Sequence, residues 1–370
     1  MSNLDRRAFL ASSLAAPAVL GATRLAAQDK GPKKSPEVDA MVDKGLEWIK
    51  KNQLGDGHWE AQGGQYPTSM TALAGMVLLM EGSTLREGKY SDQLVKAVTW
   101  FLARTQPNGL LGNPNNATES SRYTYGHGFG LMFLASVYGE EEDQDRRKKL
   151  ETAIRKAVEF TGNAQTKRGG WGYVSAKDGG DFDEGSTTIT QLQALRAAKN
   201  AGIPVKKEII ENSTKYLRDC TTDRGGIIYS LSTGGRINGQ ERPALTAAAV
   251  ACAFSSGQYN DEYAKKWLKY CKDNIPIGKG RLSHDEYQSY YLSQSIYVLG
   301  EDRYGDLFPK EPKASWWTWS GYKEAMFDYL KTQQNADGSW SSGYIGPVYS
   351  TAINLTILQL DKGILPIYHR

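Results

Sequence analysis

The sequence predicts an all-α protein made of six helical hairpins, and three observations predict it. An aromatic anchor followed by a glycine turn returns six times, at Trp48, Phe101, Phe160, Tyr216, Tyr270 and Tyr329, at intervals of 53 to 59 residues. Each anchor stands near the end of a segment whose apolar residues recur at three- and four-residue spacing, as in "AMVDKGLEWIKKNQ" and "GYKEAMFDYLKTQQ", the period of an amphipathic helix. After each turn comes a second segment that is more apolar and rich in small residues.

The full turn pattern, Gln-x-x-x-Gly-x-Trp, occurs as Gln53/Gly57/Trp59, Gln165/Gly169/Trp171 and Gln334/Gly338/Trp340. In "TQPNGLL", "TTDRGGI" and "NIPIGKGRL" the glycine stays and the tryptophan is lost. Glycine there stops the first helix of each hairpin. The second helices are "SMTALAGMVLLM", "GHGFGLMFLASVYG", "STTITQLQALRAAKNAG", "PALTAAAVACAFSSG", "YYLSQSIYVLG" and "YSTAINLTILQL". A hairpin with one half-exposed and one nearly apolar helix cannot bury the second helix alone, so the copies must pack on one another. Six of them can close into a ring of inner helices surrounded by outer ones. An open solenoid with polar end caps is the alternative at this point.

The N-terminus stands apart from the repeats. "LDRRAFLASSLAAPAVLGATRLAA" carries paired arginines Arg6 and Arg7, then Phe9 and Leu10, then an Ala/Leu-rich run, which reads as a twin-arginine export signal. We expect a signal over residues 1–27, a linker over 28–38 and the repeat domain over 39–370, with the mature chain periplasmic or extracellular. The apolar run from Ala8 to Ala22 is too short for a bilayer, and no other stretch reaches about 18 apolar residues, so no membrane span is expected.

With 40% hydrophobic and 23% charged residues and a formal net charge of +4, the 370-residue chain has an ordinary globular composition, and nothing in it calls for a nucleic acid. Cys220, Cys252 and Cys271 form no C-x-x-C pair, which argues against a disulfide framework or a zinc ribbon. Whether Cys220 and Cys271 bond is a question of geometry. The four histidines include no pair at i, i+4, so neither a metal site nor a cofactor is expected.

The motif [FYW]-[LI]-x-x-x-Gln-x-x-x-Gly-x-Trp resembles the repeat of the squalene cyclase, oxidosqualene cyclase and protein prenyltransferase families, over about residues 39–370. "GGWGYVSAKDGGDFDEGSTTITQLQALRAAKNAGIPV" resembles the bacterial squalene-cyclase-like form of that repeat. The resemblance implies a closed α6/α6 toroid in which the motif is architectural, its Trp filling the wedge between hairpins and its Gln capping carbonyls of a neighbouring helix end. Cyclases of this kind use Asp-x-Asp-Asp-Thr at the mouth of an inner helix. Here Asp181, Asp183 and Glu184 fall two to three residues early, and Ser186, Thr187 and Thr188 occupy the motif's places. The prenyltransferase zinc motif Asp-x-Cys is not matched either, since Asp219 and Cys220 are adjacent.

In a toroid, the inner-helix N-termini and the loops before them surround one end of the central cavity, so polar residues there are the candidates. Aligning the inner helices puts Thr71, His127, Thr188, Thr246, Tyr291 and Thr351 at one level. His127, with Arg122 and Tyr125 close by in sequence, is either an acid/base or donor group or a hydrogen-bonded core histidine. Asp181, Asp183 and Glu184 are either crowded carboxylates that supply a general acid or base, or acids of a glycine-rich turn near a helix N-terminus. His284, Asp285 and Glu286 read as an N-cap with first-turn acids. Tyr287, Tyr290 and Tyr291, with Trp316 and Trp317 further on, offer aromatic faces for a ligand or for packing. Three function classes follow. The first is binding of a hydrophobic, isoprenoid-like small molecule or a glycan in the cavity. The second is a terpene cyclase-like isomerase. The third is an exported polysaccharide lyase or glycosidase, which needs two opposed carboxylates.

Overall fold

The computed structural model describes residues 35–233, 240–255, 261–277, 285–341 and 343–369. The expected export signal lies outside them, and so does His284. Twelve α-helices run through the described residues: α1 (Pro36–Lys51), α2 (Pro67–Glu81), α3 (Ser91–Arg104), α4 (Tyr123–Tyr138), α5 (Gln144–Asn163), α6 (Gly185–Asn200), α7 (Lys207–Asp219), α8 (Pro243–Ser255), α9 (Glu262–Asn274), α10 (Glu286–Leu307), α11 (Trp319–Gln333) and α12 (Pro347–Gln359). The first helix begins at Pro36, inside the stretch read as linker.

Odd-numbered helices are amphipathic and lie outside; even-numbered ones are buried over most of their length and lie inside. In α2 every residue from Pro67 to Met80 is buried, as expected for a helix surrounded by others. The inner helices pack in the circular order α2, α4, α6, α8, α10, α12, and α12 returns to α2. Each outer helix packs chiefly on the inner helix that precedes it in the chain, α3 on α2 through α11 on α10, and α1 packs on α12, which closes the ring. The described residues therefore form an α/α toroid, and the open solenoid is excluded.

The recurring turn explains why the ring closes. The motif glycines Gly57, Gly109, Gly169, Gly225 and Gly338 all have φ between 89° and 101°. A Cβ on them would press on the backbone carbonyls of Lys96, Lys156, Asn212, Lys266 and Lys44, each in the next outer helix around the ring. Only glycine allows both the left-handed turn and that approach. The motif glutamines fasten the same joint: Gln53 Nε2 donates to Gln93 O at 2.9 Å, Gln165 Nε2 to Ile209 O at 3.0 Å and Gln334 Nε2 to Met41 O at 2.9 Å. They thus reach carbonyls in the early turns of the next outer helix, where helix-end capping was expected. The indoles of Trp59, Trp171 and Trp340 donate to Ile49 O, Thr161 O and Leu330 O, near the C-terminal end of their own outer helices.

Beyond α12 the tail forms two short 3₁₀ turns, Leu360–Lys362 and Pro366–Tyr368. The second packs on α6, which faces α12 across the ring. The tail therefore crosses the barrel at the end where α12 finishes, and its Tyr368 hydroxyl lies 3.0 Å from that of Tyr290. Above it, Gln193 Nε2 of α6 donates to Gln294 Oε1 of α10 at 2.8 Å, across the barrel interior. One end of the barrel is filled; the other is open. The three cysteines are buried and none forms a disulfide.

Candidate functional site

All six inner helices start at the open end, so the residues just before them form its rim: Tyr66, Arg122, Glu184, Arg242, Asp285 and Gly346. Proline at the first position of α2, α8 and α12 sharpens those starts. Inside the rim is a cavity of about 490 Å³, within the size range of small-molecule sites. Its floor is apolar, made by Met70, Leu73, Phe129 and Leu245. Phe129 and Leu73 stand six residues into their helices, about 9 Å below the rim at ~1.5 Å per residue. Its wall carries Tyr125, Tyr229, Tyr287, Tyr344 and Tyr349 with Ser186.

Four charged side chains line this cup: Arg122, Arg242, Asp285 and Glu286. Among the described residues none of them forms an ion pair. The Arg122 guanidinium lies over the Tyr173 ring at 4.6 Å. Burial works against its charge, yet the surrounding tyrosine oxygens, Tyr173 foremost, outweigh that and hold it more firmly protonated than usual. Asp285 caps α10, accepting from Gln288 N at 2.9 Å, and Glu286 accepts from Ser350 Oγ at 3.0 Å. Helix α4 stands opposite α10 in the ring, so Arg122 and the Asp285/Glu286 pair occupy facing walls.

The tyrosines are prepared differently. Tyr125 OH is hydrogen-bonded to Ser186 Oγ and 3.4 Å from Glu184 Oε1, while Ser186 Oγ donates to Glu184 Oε2 at 2.6 Å. Burial first, then the Glu184 carboxylate, push the Tyr125 hydroxyl well above its ordinary range. Tyr173 and Tyr229 join hydroxyl to hydroxyl. The Tyr287 hydroxyl is buried without any hydrogen-bond partner, and burial followed by Tyr291 raises its pKa strongly. It is a proton donor with no acceptor among the described residues.

Of the candidates taken from the sequence, Arg122, Tyr125 and Tyr287 line the cup, while the others do structural work. His127 takes the place of the threonines at its level. Thr71, Thr188, Thr246 and Thr351 accept the backbone N–H of Trp59, Trp171, Ile227 and Trp340, and His127 Nδ1 accepts that of Leu111 at 3.1 Å. Its Nε2 lies 2.9 Å from Thr161 Oγ1, and complete burial lowers its pKa to about 3. It stays neutral and does not reach the cavity.

Asp183 is fully buried and receives Arg168 Nε at 2.5 Å, Tyr216 OH at 2.9 Å, Leu231 N at 2.8 Å and Ser230 Oγ at 3.1 Å. Burial would raise its pKa, but Arg168 and the other donors prevail and lower it. It pins the loop before α8 to that before α6. Asp181, at φ 63°, accepts from Lys167 N at 2.9 Å and flanks Arg168. Glu184 is the N-cap of α6, taking Thr187 N at 2.6 Å and Ser186 N at 2.9 Å. Tyr290 and Tyr291 are buried in the barrel below the cup. Trp316 packs on Tyr304, toward the far end of α10, and Trp317 is buried outside the cup's lining.

The rim residues Tyr66 and Arg242, the loop residue Tyr229 and Tyr349 in the first turn of α12 were missed. The signal was positional: residues preceding the inner-helix starts, three of them marked by proline, differ from repeat to repeat. Among the described residues no cluster of three His, Cys, Asp or Glu has metal-binding proximity. No described helix is long and apolar enough to cross a membrane.

No family profile and no curated protein matches the chain. Solved structures do. An α-1,6-mannanase variant of Salegentibacter sp. HEL1_6, in complex with α-1,6-mannotetrose, is 10% identical with a TM-score of 0.60, covering 89% of this chain and 100% of that one. The type II terpene cyclase MstE from Scytonema is 14% identical with a TM-score of 0.55, covering 89% and 99%. A protein from Actinoplanes is 16% identical at a TM-score of 0.55, covering 88% and 99%. At these identities the likeness is one of fold.

Proposed function

We propose that the chain is an exported, periplasmic or extracellular binding protein that holds a small amphipathic molecule in the cup, its apolar part on the floor and its polar part at the rim. The observation that carries this reading is the layering of the cavity, hydrophobic a turn or two down and charged at the helix starts. A cyclase-like reaction has less support. Where the cyclase acid motif would stand, Thr187 and Thr188 donate to Trp171 O and Glu184 O at 2.7 and 2.8 Å and serve the hairpin joint. Glycoside cleavage has less support too: the carboxylates lining the cup, Asp285 and Glu286, share one wall, and Glu184 is engaged as a helix cap.

Native mass spectrometry of the protein recovered after export tests this. We expect a co-purifying amphiphile, released on denaturation, and its loss in Leu245→Trp, which narrows the cavity, with the melting temperature retained. Absence of both a bound molecule and uptake of an added amphiphile would overturn the reading, as would turnover of a polyprenyl or glycan substrate by the purified protein. The same preparation reports export: substitution of Arg6 and Arg7 by lysine should leave the chain in the cytoplasm.

A further inference from the structure

We infer that the cup is built for a zwitterionic head group, its anionic end on Arg122 and its cationic end against Asp285 and Glu286. The inference rests on the binding function just proposed and deepens it by naming the chemistry of the head. Three observations support it.

First, charges of both signs line one cavity without an ion pair among the described residues: Arg122 at the start of α4 faces Asp285 and Glu286 at the start of α10, while Arg242 precedes α8, beside α10. Charges within a protein cavity cost free energy unless compensated. A ligand with a single charge would satisfy one wall and leave the other uncompensated.

Second, each wall has the surroundings its counter-charge needs. Arg122 is stacked on Tyr173 with its guanidinium edge free, the arrangement that presents paired donors to a phosphate or carboxylate. The acidic wall also carries Tyr287 and, on neighbouring α12, Tyr349. Aromatic faces beside carboxylates suit a quaternary ammonium, which has no hydrogen to donate and is held through ring quadrupoles and net charge.

Third, the Tyr287 hydroxyl, on a residue that lines the acidic wall, is buried and has no hydrogen-bond partner among the described residues. The ester oxygen between the phosphorus and the ammonium-bearing chain would supply one.

The test uses the full mature chain and four amphiphiles sharing a dodecyl tail, titrated calorimetrically below their critical micelle concentrations: dodecylphosphocholine, dodecyl phosphate, dodecyltrimethylammonium and dodecyl maltoside. We expect dodecylphosphocholine to bind at least tenfold more tightly than the others. Arg122→Gln should bring it down to the level of the ammonium, and Asp285→Asn with Glu286→Gln to the level of the phosphate. Asn still caps a helix, so the second variant keeps α10 intact. Equal affinity for the four, or a singly charged ligand as the tightest, would overturn the zwitterion while leaving an amphiphile site standing. Tightest binding of the maltoside would point to sugar recognition and overturn it as well. If none of the four binds, the binding function itself falls.

Discussion

Gly338 and Lys44 meet across the seam of the ring: a Cβ on Gly338 would lie 2.5 Å from the Lys44 carbonyl oxygen, although the residues come from the last and first repeats. With φ at 94°, Gly338 also occupies backbone space that other residues avoid. Gly338→Ala should therefore cost about 3 kcal/mol, combining backbone strain with a forced opening of the seam. Gly202→Ala is the control, with φ 80° but nothing within 4 Å, and should cost about 1 kcal/mol. Urea unfolding of both variants gives the difference; equal costs would mean that the close approach carries no weight.

His127 predicts a pH dependence of stability. Its folded pKa of about 3 lies below the unfolded value of ~6.5, so between those values the unfolded chain binds the extra proton. Its contribution is complete above about pH 6.5 and is lost as pH falls toward 3, with a slope approaching ~1.4 kcal/mol per unit. His127→Thr, which restores the residue found at that level in four repeats, should fold and lack this slope. Unfolding curves at pH 7, 5 and 4 for both proteins check it.

Asp183→Asn should destabilise the fold by about 3 kcal/mol at pH 7, because Arg168 and several N–H and O–H donors converge on the carboxylate. Because the folded pKa is depressed, the wild type keeps this contribution above the unfolded value of ~3.9 and loses it as pH falls below. The variant should lose less on acidification. Guanidinium melts at pH 7 and pH 3 measure both effects, and affinity of the cup for dodecylphosphocholine should be unchanged when folded protein is assayed.

Tyr287→Phe separates stability from binding. Deleting a buried hydroxyl that has no partner should leave the melting temperature unchanged or slightly higher. Affinity for dodecylphosphocholine should fall about five- to tenfold, the worth of roughly one hydrogen bond. A loss of stability with unchanged affinity would assign the hydroxyl to the scaffold.

The joints were legible because they recur. Gly57, Gly169 and Gly338 announce the same turn with the same spacing, and the degenerate copies at Gly109 and Gly225 keep the glycine that the next helix's backbone requires. The level shared by Thr71, Thr188, Thr246 and Thr351 was legible for the same reason, and His127 stood out because its chemistry differs from theirs. Asp183 was misleading because its partners lie far along the chain, in Arg168 and in Ser230 to Ser232. The cup was hardest to see: each repeat contributes between one and four residues to it, so no local run of sequence contains the pattern.

The seam between α1 and the sixth turn has a consequence for synthesis. The first inner helix has no final neighbour until α12 has been made, so the nascent chain carries one side of an apolar segment uncovered for almost the whole of translation. Ring proteins of this kind finish as they leave the ribosome, and a holdase that shelters "SMTALAGMVLLM" in the interval would decide how much of the chain is recovered intact.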